Sequence, residues 1–391
     1  MKHTIATIAG AALLVTTAAT APLAQSAREA GAVRQAPVDP EIPVALLVDQ
    51  SSGQTLFARE ASRRFVPASV TKIMTAYTAF DLISRGELSL DTIVEIDQTL
   101  VDEWGREGST LFLETGDRVT IGQLLLGVTT VSANDGAVAL GRAAAGSDAA
   151  WLALMNANAV QLGMRDSHFG TANGYPDEGR TWTSARDLAI LAEALTTRHP
   201  ELYKRFFGHR GLSYNGIAQN NHDPITGVVD GADGIKTGYT RQAGYTFVGS
   251  AERGGRRLTL VVAGAPTGAI RNRAARELME WGFTNFSSRR LIEPDTQVGH
   301  ARVQDGSALT VPLRTHRAVF ANLPRSGDGG AQLTIRYRGP VEAPVYDGDR
   351  IAMLRIAIPG QEPHEVPLVA AADVPRANAW QRLRNGIVGL F

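Results

Sequence analysis

A hydroxyl and an amine stand three residues apart in "PASVTK" (residues 67–72): they are Ser69 and Lys72. On a helix, positions i and i+3 share a face, so the two side chains would meet. A serine hydroxyl becomes a nucleophile only when a base within hydrogen-bond reach takes its proton. A lysine amine can be that base if burial and a second cation depress its pKa. The chain has 39 Lys plus Arg, of which only Lys2, Lys72, Lys204 and Lys236 are Lys. Arginine keeps its proton in a protein, whereas a buried lysine can release it, so a rare lysine marks a job for a deprotonable amine. A helix start at Ser69 would add N–H groups and partial positive charge that favour an oxyanion. The plain alternative is that Ser69 only caps a helix, since Ser-x-x-Lys arises about once by chance in a chain this long at average composition.

Two later stretches supply what such a pair needs. In "TTVSANDGA", Ser132 and Asn134 sit between two apolar helical patterns. A serine there can relay a proton between Lys72 and a leaving group, and Asn134 can hold Lys72 and a substrate amide. Alone, Ser-x-Asn is more often a turn or an N-cap. In "DGADGIKTGYT", Lys236, Thr237 and Gly238 precede an apolar strand at residues 243–250. Lys236 would be the second cation that keeps Lys72 neutral and attracts an anion. Thr237 offers a hydroxyl to a carboxylate, and Gly238 lets a ligand or another side chain approach the strand backbone. Alone, this is a surface turn. The three stretches in order, holding two of the four lysines, match the motif set of serine acyl-transfer sites.

Those residues need a frame. Residues 42–60 read as a hairpin turning at Ser51-Ser52-Gly53. Helical spacing starts at Ser69 with Ile73, Tyr77, Phe80 and Ile83. Further helices fit residues 121–127, 136–145, 149–162, 184–197 and 272–281, and residues 243–265 form two strands around a Gly-Gly turn. Strands at both ends with helices between predict an α+β domain over residues 42–285, built on an antiparallel sheet. Short alternating runs split by Pro, Gly and Asp then predict a small all-β domain over residues 286–372.

Composition narrows the setting. The formal net charge is zero, so no basic surplus points to nucleic acid. The absence of cysteine excludes disulfides, zinc–thiolate sites, a thiol nucleophile and a lipid-modified cysteine. The eight histidines are scattered, with no metalloprotease i,i+4 pair, and no cofactor is called for. The first residues pair Lys2 and His3 with a small apolar run and an Ala-x-Ala at residues 19–21, the pattern of a secretory signal peptide, drawn here over residues 1–24. Residues 25–41 read as a flexible linker. At the other end, residues 373–391 place Trp380, Leu383, Ile387 and Leu390 near one face beside Arg376, Arg382 and Arg384. This is compatible with an amphipathic helix on a membrane surface or with a terminal element docked on its own domain.

"VPASVTKIMTAY", "SANDGA", "SARDLA", "ADGIKTGYT" and "WGF" together resemble, in order, the low-molecular-weight penicillin-binding proteins, the serine D-alanyl-D-alanine carboxypeptidases of peptidase family S11. The resemblance implies a β-lactamase/transpeptidase-like fold with a β-rich second domain, and it implies no cofactor. Its substrate would be the peptidoglycan pentapeptide ending in D-Ala-D-Ala, and β-lactams would be its inhibitors. Its place would be the periplasm, at the outer face of the inner membrane. By motif, Ser69 would be acylated, Lys72 would be its base, and Ser132 and Asn134 would complete the catalytic set. Lys236, Thr237 and Gly238 would bind the substrate, with Arg186 of "SARD" near the site. The oxyanion would take the N–H of Ser69 and that of Tyr239 or Thr240. The chain departs from the family in "GAPTGAIR", where Pro266 stands in place of an arginine that some members carry. That moves carboxylate recognition to Thr237, Arg186 or Arg241. The rival readings are an endopeptidase or β-lactamase on the same fold, or a non-catalytic wall-binding protein; no Glu-x-x-Leu-Asn is present to support a β-lactamase.

Overall fold

The structure is a computed structural model that describes residues 6–7, 35–325, 330–359 and 361–381. The expected signal peptide, apart from residues 6–7, and residues 382–391 of the expected tail lie outside the described residues. One compact unit comprises residues 35–51 and 56–283; a second includes residues 52–55 and the chain from Thr284 onward.

The first unit is organised by a five-stranded sheet. Its strands are β1 (Val44–Asp49), β2 (Gln54–Arg59), β3 (Ala232–Thr240), β4 (Gly244–Arg253) and β5 (Arg256–Ala265), in the order β2-β1-β5-β4-β3. β1 pairs with β5, β5 with β4 and β4 with β3, all antiparallel, so the two ends of the unit's sequence meet in one sheet. Between them run α1 (Lys72–Ser84), α2 (Ile121–Leu126), α3 (Asn134–Ala145), α4 (Asp148–Leu162) and α5 (Ala185–Arg198); α6 (Gly268–Asn285) follows β5. Successive residues Leu260, Val261 and Val262 are all buried because both sheet faces are covered. α5 packs against β1 and β5. On the other face, Gly282 of α6 lies so close to Leu47 that an added Cβ would come within 2.6 Å of its side chain.

The spacing of Ile73, Tyr77, Phe80 and Ile83 predicts one buried stripe on α1. The structure buries every residue from Lys72 to Phe80, because small residues such as Ala76 and Ala79 turn the remaining faces inward too. A lysine at the first position of this buried stretch has almost no contact with water. α2 opens with a capping box between Thr120 and Gln123, then widens into a single π turn over Gly127–Val131. That turn stops at Ser132, and α3 begins two residues later. The Lys-Thr-Gly stretch, expected as a lead into a strand, is itself in β3, the edge strand of the sheet.

Residues 35–41, expected within a flexible linker, are tied down from Val38 onward. Val38 is buried, and the Arg59 guanidinium donates to the carbonyls of Val38, Asp39 and Ile42.

The second unit is β-rich, as expected. The strands Gln297–Gln304, Thr310–Thr315, Gln332–Arg336, Arg350–Ala357 and His364–Ala370 share one sheet over a core that includes Leu313, Leu354, Ile356 and Leu368. Its β structure runs past residue 372: Val374 bridges to Val345, Arg376 bridges to Gly306, and the Ala377 N–H donates to Asp305. Among the described residues, no helix is long and apolar enough to cross a membrane.

α3 and α4 meet where Gly141 lies under Trp151, and an added Cβ would sit 2.7 Å from two indole carbons. Alanine favours a helix over glycine by about 1 kcal/mol, but overpacking a core costs about 1–3 kcal/mol. Gly141→Ala is therefore expected to lower stability despite its better propensity, read as a lower denaturant midpoint at unchanged slope.

Candidate active site

Ser69 lies in a 3₁₀ turn, Ala68–Thr71, that feeds directly into α1. Lys72 Nζ is 3.0 Å from Ser69 Oγ and donates to Asn134 Oδ1 and to the Asn173 carbonyl, each at 2.7 Å. Both of those partners are acceptors only, so they use two N–H bonds. Ser69 is the one partner that can donate. A neutral amine, with two hydrogens and one lone pair, fits that set. The Lys72 side chain is 1% exposed, and its pKa is held well below the usual lysine value, chiefly by burial and next by the charge of Lys236. Asp135 opposes this by a smaller amount.

The Asn134 amide is oriented from behind, because its Nδ2 donates to the Glu107 carbonyl at 2.7 Å and leaves Oδ1 for Lys72. Beside it, the Asp135 carboxylate accepts from the N–H groups of Leu111, Leu113 and Gly136, which pins residues 111–113 to the start of α3. Ser132 is buried with φ +66°, and Ala68, next to Ser69, has φ +50°. Left-handed conformations at non-glycine residues cost energy and persist where packing over-determines them.

On β3, Gly238 abuts the Ser69 turn so closely that a Cβ would stand 2.6 Å from the Pro67 carbonyl oxygen and 3.2 Å from the Ser69 nitrogen. The missing Cβ therefore admits the main chain of the Ser69 turn. Gly174 does the same from another side: its φ is +74°, and a Cβ would fall on the Ala68 carbonyl. Lys236 is buried, donates to the Thr237 carbonyl at 3.0 Å, and has its pKa lowered to about 7 by burial and then by Arg271.

These elements surround a cleft of about 740 Å³ lined by Ser69, Ser132, Asn134, Thr237, Gly238 and Arg271, among others. The expected residues Ser69, Lys72, Ser132, Asn134, Lys236, Thr237 and Gly238 thus converge. Arg186 does not. It is exposed on the first turn of α5, its N–H donates to the Ala61 carbonyl and its guanidinium to Ser62. The "SARD" stretch instead works through Ser184, which caps α5, and Asp187, which holds the Asp166 N–H and the Ser167 hydroxyl. Arg241 also lies outside this cleft.

Four contributors escape the motif reading: the Asn173 carbonyl, Gly174, Glu107 and Arg271. Arg271 ends the "GAIR" run and is buried; its signal in the sequence was an arginine on the first turn of the helix after β5. Tyr175 hydrogen-bonds to Glu107 at 2.8 Å and packs edge-on against Trp104. Among the described residues, no group of three or more His, Asp or Glu side chains is placed to hold a metal ion.

A sequence model of the family described as D-alanyl-D-alanine carboxypeptidase matches residues 32–267, and one described as penicillin-binding protein 5, C-terminal domain, matches residues 286–376. The chain is 32% identical to D-alanyl-D-alanine carboxypeptidase DacD of Salmonella typhimurium, covering 91% of this chain and 93% of that one. The structure resembles penicillin binding protein 5 from Haemophilus influenzae with TM-score 0.75 at 30% identity, covering 87% of this chain and 99% of that one. It also resembles penicillin-binding protein D2 from Listeria monocytogenes in the ampicillin-bound form, with TM-score 0.58 at 29% identity over 64% of this chain and all (100%) of that one.

Lys236 carries a prediction for stability. Its folded pKa of about 7 lies below the unfolded value of 10.5, so between these pH values the unfolded chain holds a proton that the folded chain has released. Stability should rise with pH across that window, by up to about 1.4 kcal/mol per pH unit for each such proton. Lys236→Met is expected to remove this contribution and so flatten the rise, while Lys72, whose pKa is also lowered, still contributes. Denaturant titrations of both proteins from pH 7 to 10 measure the difference in slope.

Proposed function

The chain belongs to the D-alanyl-D-alanine carboxypeptidase family, and from that premise we propose how its residues remove the terminal D-Ala from peptidoglycan stem peptides. The observation that carries the mechanism is the Lys72 amine, buried, depressed in pKa and 3.0 Å from the Ser69 hydroxyl.

The peptide's terminal carboxylate binds between the Thr237 hydroxyl and the Arg271 guanidinium, within the field of Lys236. Lys72 takes the Ser69 proton as Oγ attacks the carbonyl of the penultimate D-Ala. The oxyanion is stabilised by the Ser69 N–H and by one from β3. Alternate N–H groups of an edge strand point away from the sheet, so one of Tyr239 and Thr240 supplies it. Ser132 passes a proton from Lys72 to the departing D-Ala nitrogen, the C–N bond breaks, and an ester on Ser69 remains. Water, deprotonated by Lys72, attacks that ester and frees the shortened peptide. A β-lactam presents an amide and a carboxylate in the same relation, and its leaving group stays tethered after ring opening. The ampicillin-bound state of the Listeria neighbour supports acylation of this kind.

The leader-like first residues support export, which places the enzyme beside its wall substrate. Trp380, 78% exposed, together with Arg382 and Arg384, supports peripheral contact of the tail with the membrane.

The purified protein is expected to release D-alanine from an acylated D-Ala-D-Ala peptide, and Ser69→Ala to lower the rate by about 10⁴-fold or more. No release by the wild type would sink the carboxypeptidase reading. Arg271→Gln removes one partner of a buried charge pair, an effect of about 2 kcal/mol or more, so KM should rise about 30-fold or more while kcat changes far less. Equal loss in both constants would place Arg271 in the chemical step instead.

A further inference from the structure

A second groove, of about 540 Å³, adjoins the first across one residue: Tyr239 lines both. Its floor is made by the small residues Gly244, Ala263, Gly264 and Ala265. Gly264 has φ +77° and Gly244 packs against it, so the floor is close to bare backbone. The rim carries Arg63, Arg64 and Arg241, and no acidic residue lines the groove. Arg64 is engaged with Asp166 at 3.0 Å. Arg63 and Arg241 are exposed, and neither side chain has a partner among the described residues. Two unpaired guanidiniums over a narrow apolar floor suit an extended chain that bears carboxylates.

Direction selects the occupant. The terminal carboxylate lies by Thr237 and the scissile carbonyl by Ser69 and Gly238. The acyl side of an extended peptide advances about 3.3 Å per residue along β3, toward Tyr239 and the turn at Arg241. We propose that this groove is a subsite for the carboxylate-bearing residues of the stem peptide upstream of the scissile bond, with Arg63 and Arg241 as their counter-charges and Tyr239 as the divider between the two sites. This rests on the carboxypeptidase reading above. It goes beyond it in giving the chain a preference for stem peptides whose upstream residues are anionic.

The experiment uses the full chain and two substrates. One is diacetyl-L-Lys-D-Ala-D-Ala, which has no upstream carboxylate. The other is a pentapeptide carrying a γ-linked D-Glu and diaminopimelate. Exposed pairs contribute modestly, so Arg63→Gln/Arg241→Gln should lower kcat/KM for the pentapeptide about five- to ten-fold, mainly through KM. Turnover of the diacetyl peptide should be unchanged, and the difference should shrink at 1 M salt. Arg241→Glu should deepen the pentapeptide defect. Equal change for both substrates, or none for either, overturns the subsite. Calorimetric binding of the pentapeptide separates this from failure of the carboxypeptidase reading. If the wild type binds the pentapeptide more tightly than the double variant but turns over neither substrate, the subsite stands and the activity falls; equal binding by both overturns the subsite.

Discussion

The structure turns on keeping one amine out of water and giving it, among the described residues, two acceptors and one hydroxyl. Lys72 enters the core because α1 is buried on every face from Lys72 to Phe80, and among the described residues its amine meets Ser69, Asn134 and Asn173. Each partner comes from a different segment: the Ser69 turn, the start of α3, and the loop before α5. The sheet supplies a fourth segment through Lys236, whose field bears on the same amine. A lysine in water would hold its proton near neutral pH. Here desolvation and a second cation act in the same sense, so the geometry and the protonation state are set by one packing arrangement.

Much of this could be read from the residues alone. Ser69, Lys72, Ser132, Asn134, Lys236 and Thr237 stand out because their chemistry is carried by side chains at fixed local spacing. The sheet that joins the two ends of the first unit followed from apolar runs at residues 42–60 and 243–265. What escaped was carried by atoms without a signature. The Asn173 and Glu107 contributions to Lys72 and Asn134 are main-chain carbonyls, which any residue owns. Gly174 matters for what it lacks. Arg271 was hidden among many arginines, since only tertiary packing shows which of them is buried in the cleft. Arg186 misled for the reverse reason: its neighbours Ser184 and Asp187 hold the local structure, and its own side chain faces outward. The π turn before Ser132 was beyond any periodicity, because the helix ends there and no apolar run of the same helix follows on which the shifted register could show.

The left-handed residues Ala68 and Ser132 bring the same economy to the two hydroxyls of Ser69 and Ser132. Each sits where a short helical turn is redirected, one into α1 and the other toward α3. A regular helix through either point would aim the hydroxyl along its own surface. The redirected backbone presents it instead to the cleft, and the surrounding core holds the conformation.

The Ser69 turn is fixed through its main chain, by Gly174 against Ala68 and Gly238 against Pro67 and Ser69. Apart from proline, no substitution within residues 67–70 can delete those carbonyls and N–H groups, and any substitution at either glycine adds atoms where there is no room. Selection by an acylating drug therefore finds little to vary at the point of attack. Escape has to begin on the rim, at side chains such as Tyr175, His222 and Tyr239 that line the cleft away from the Ser69 turn.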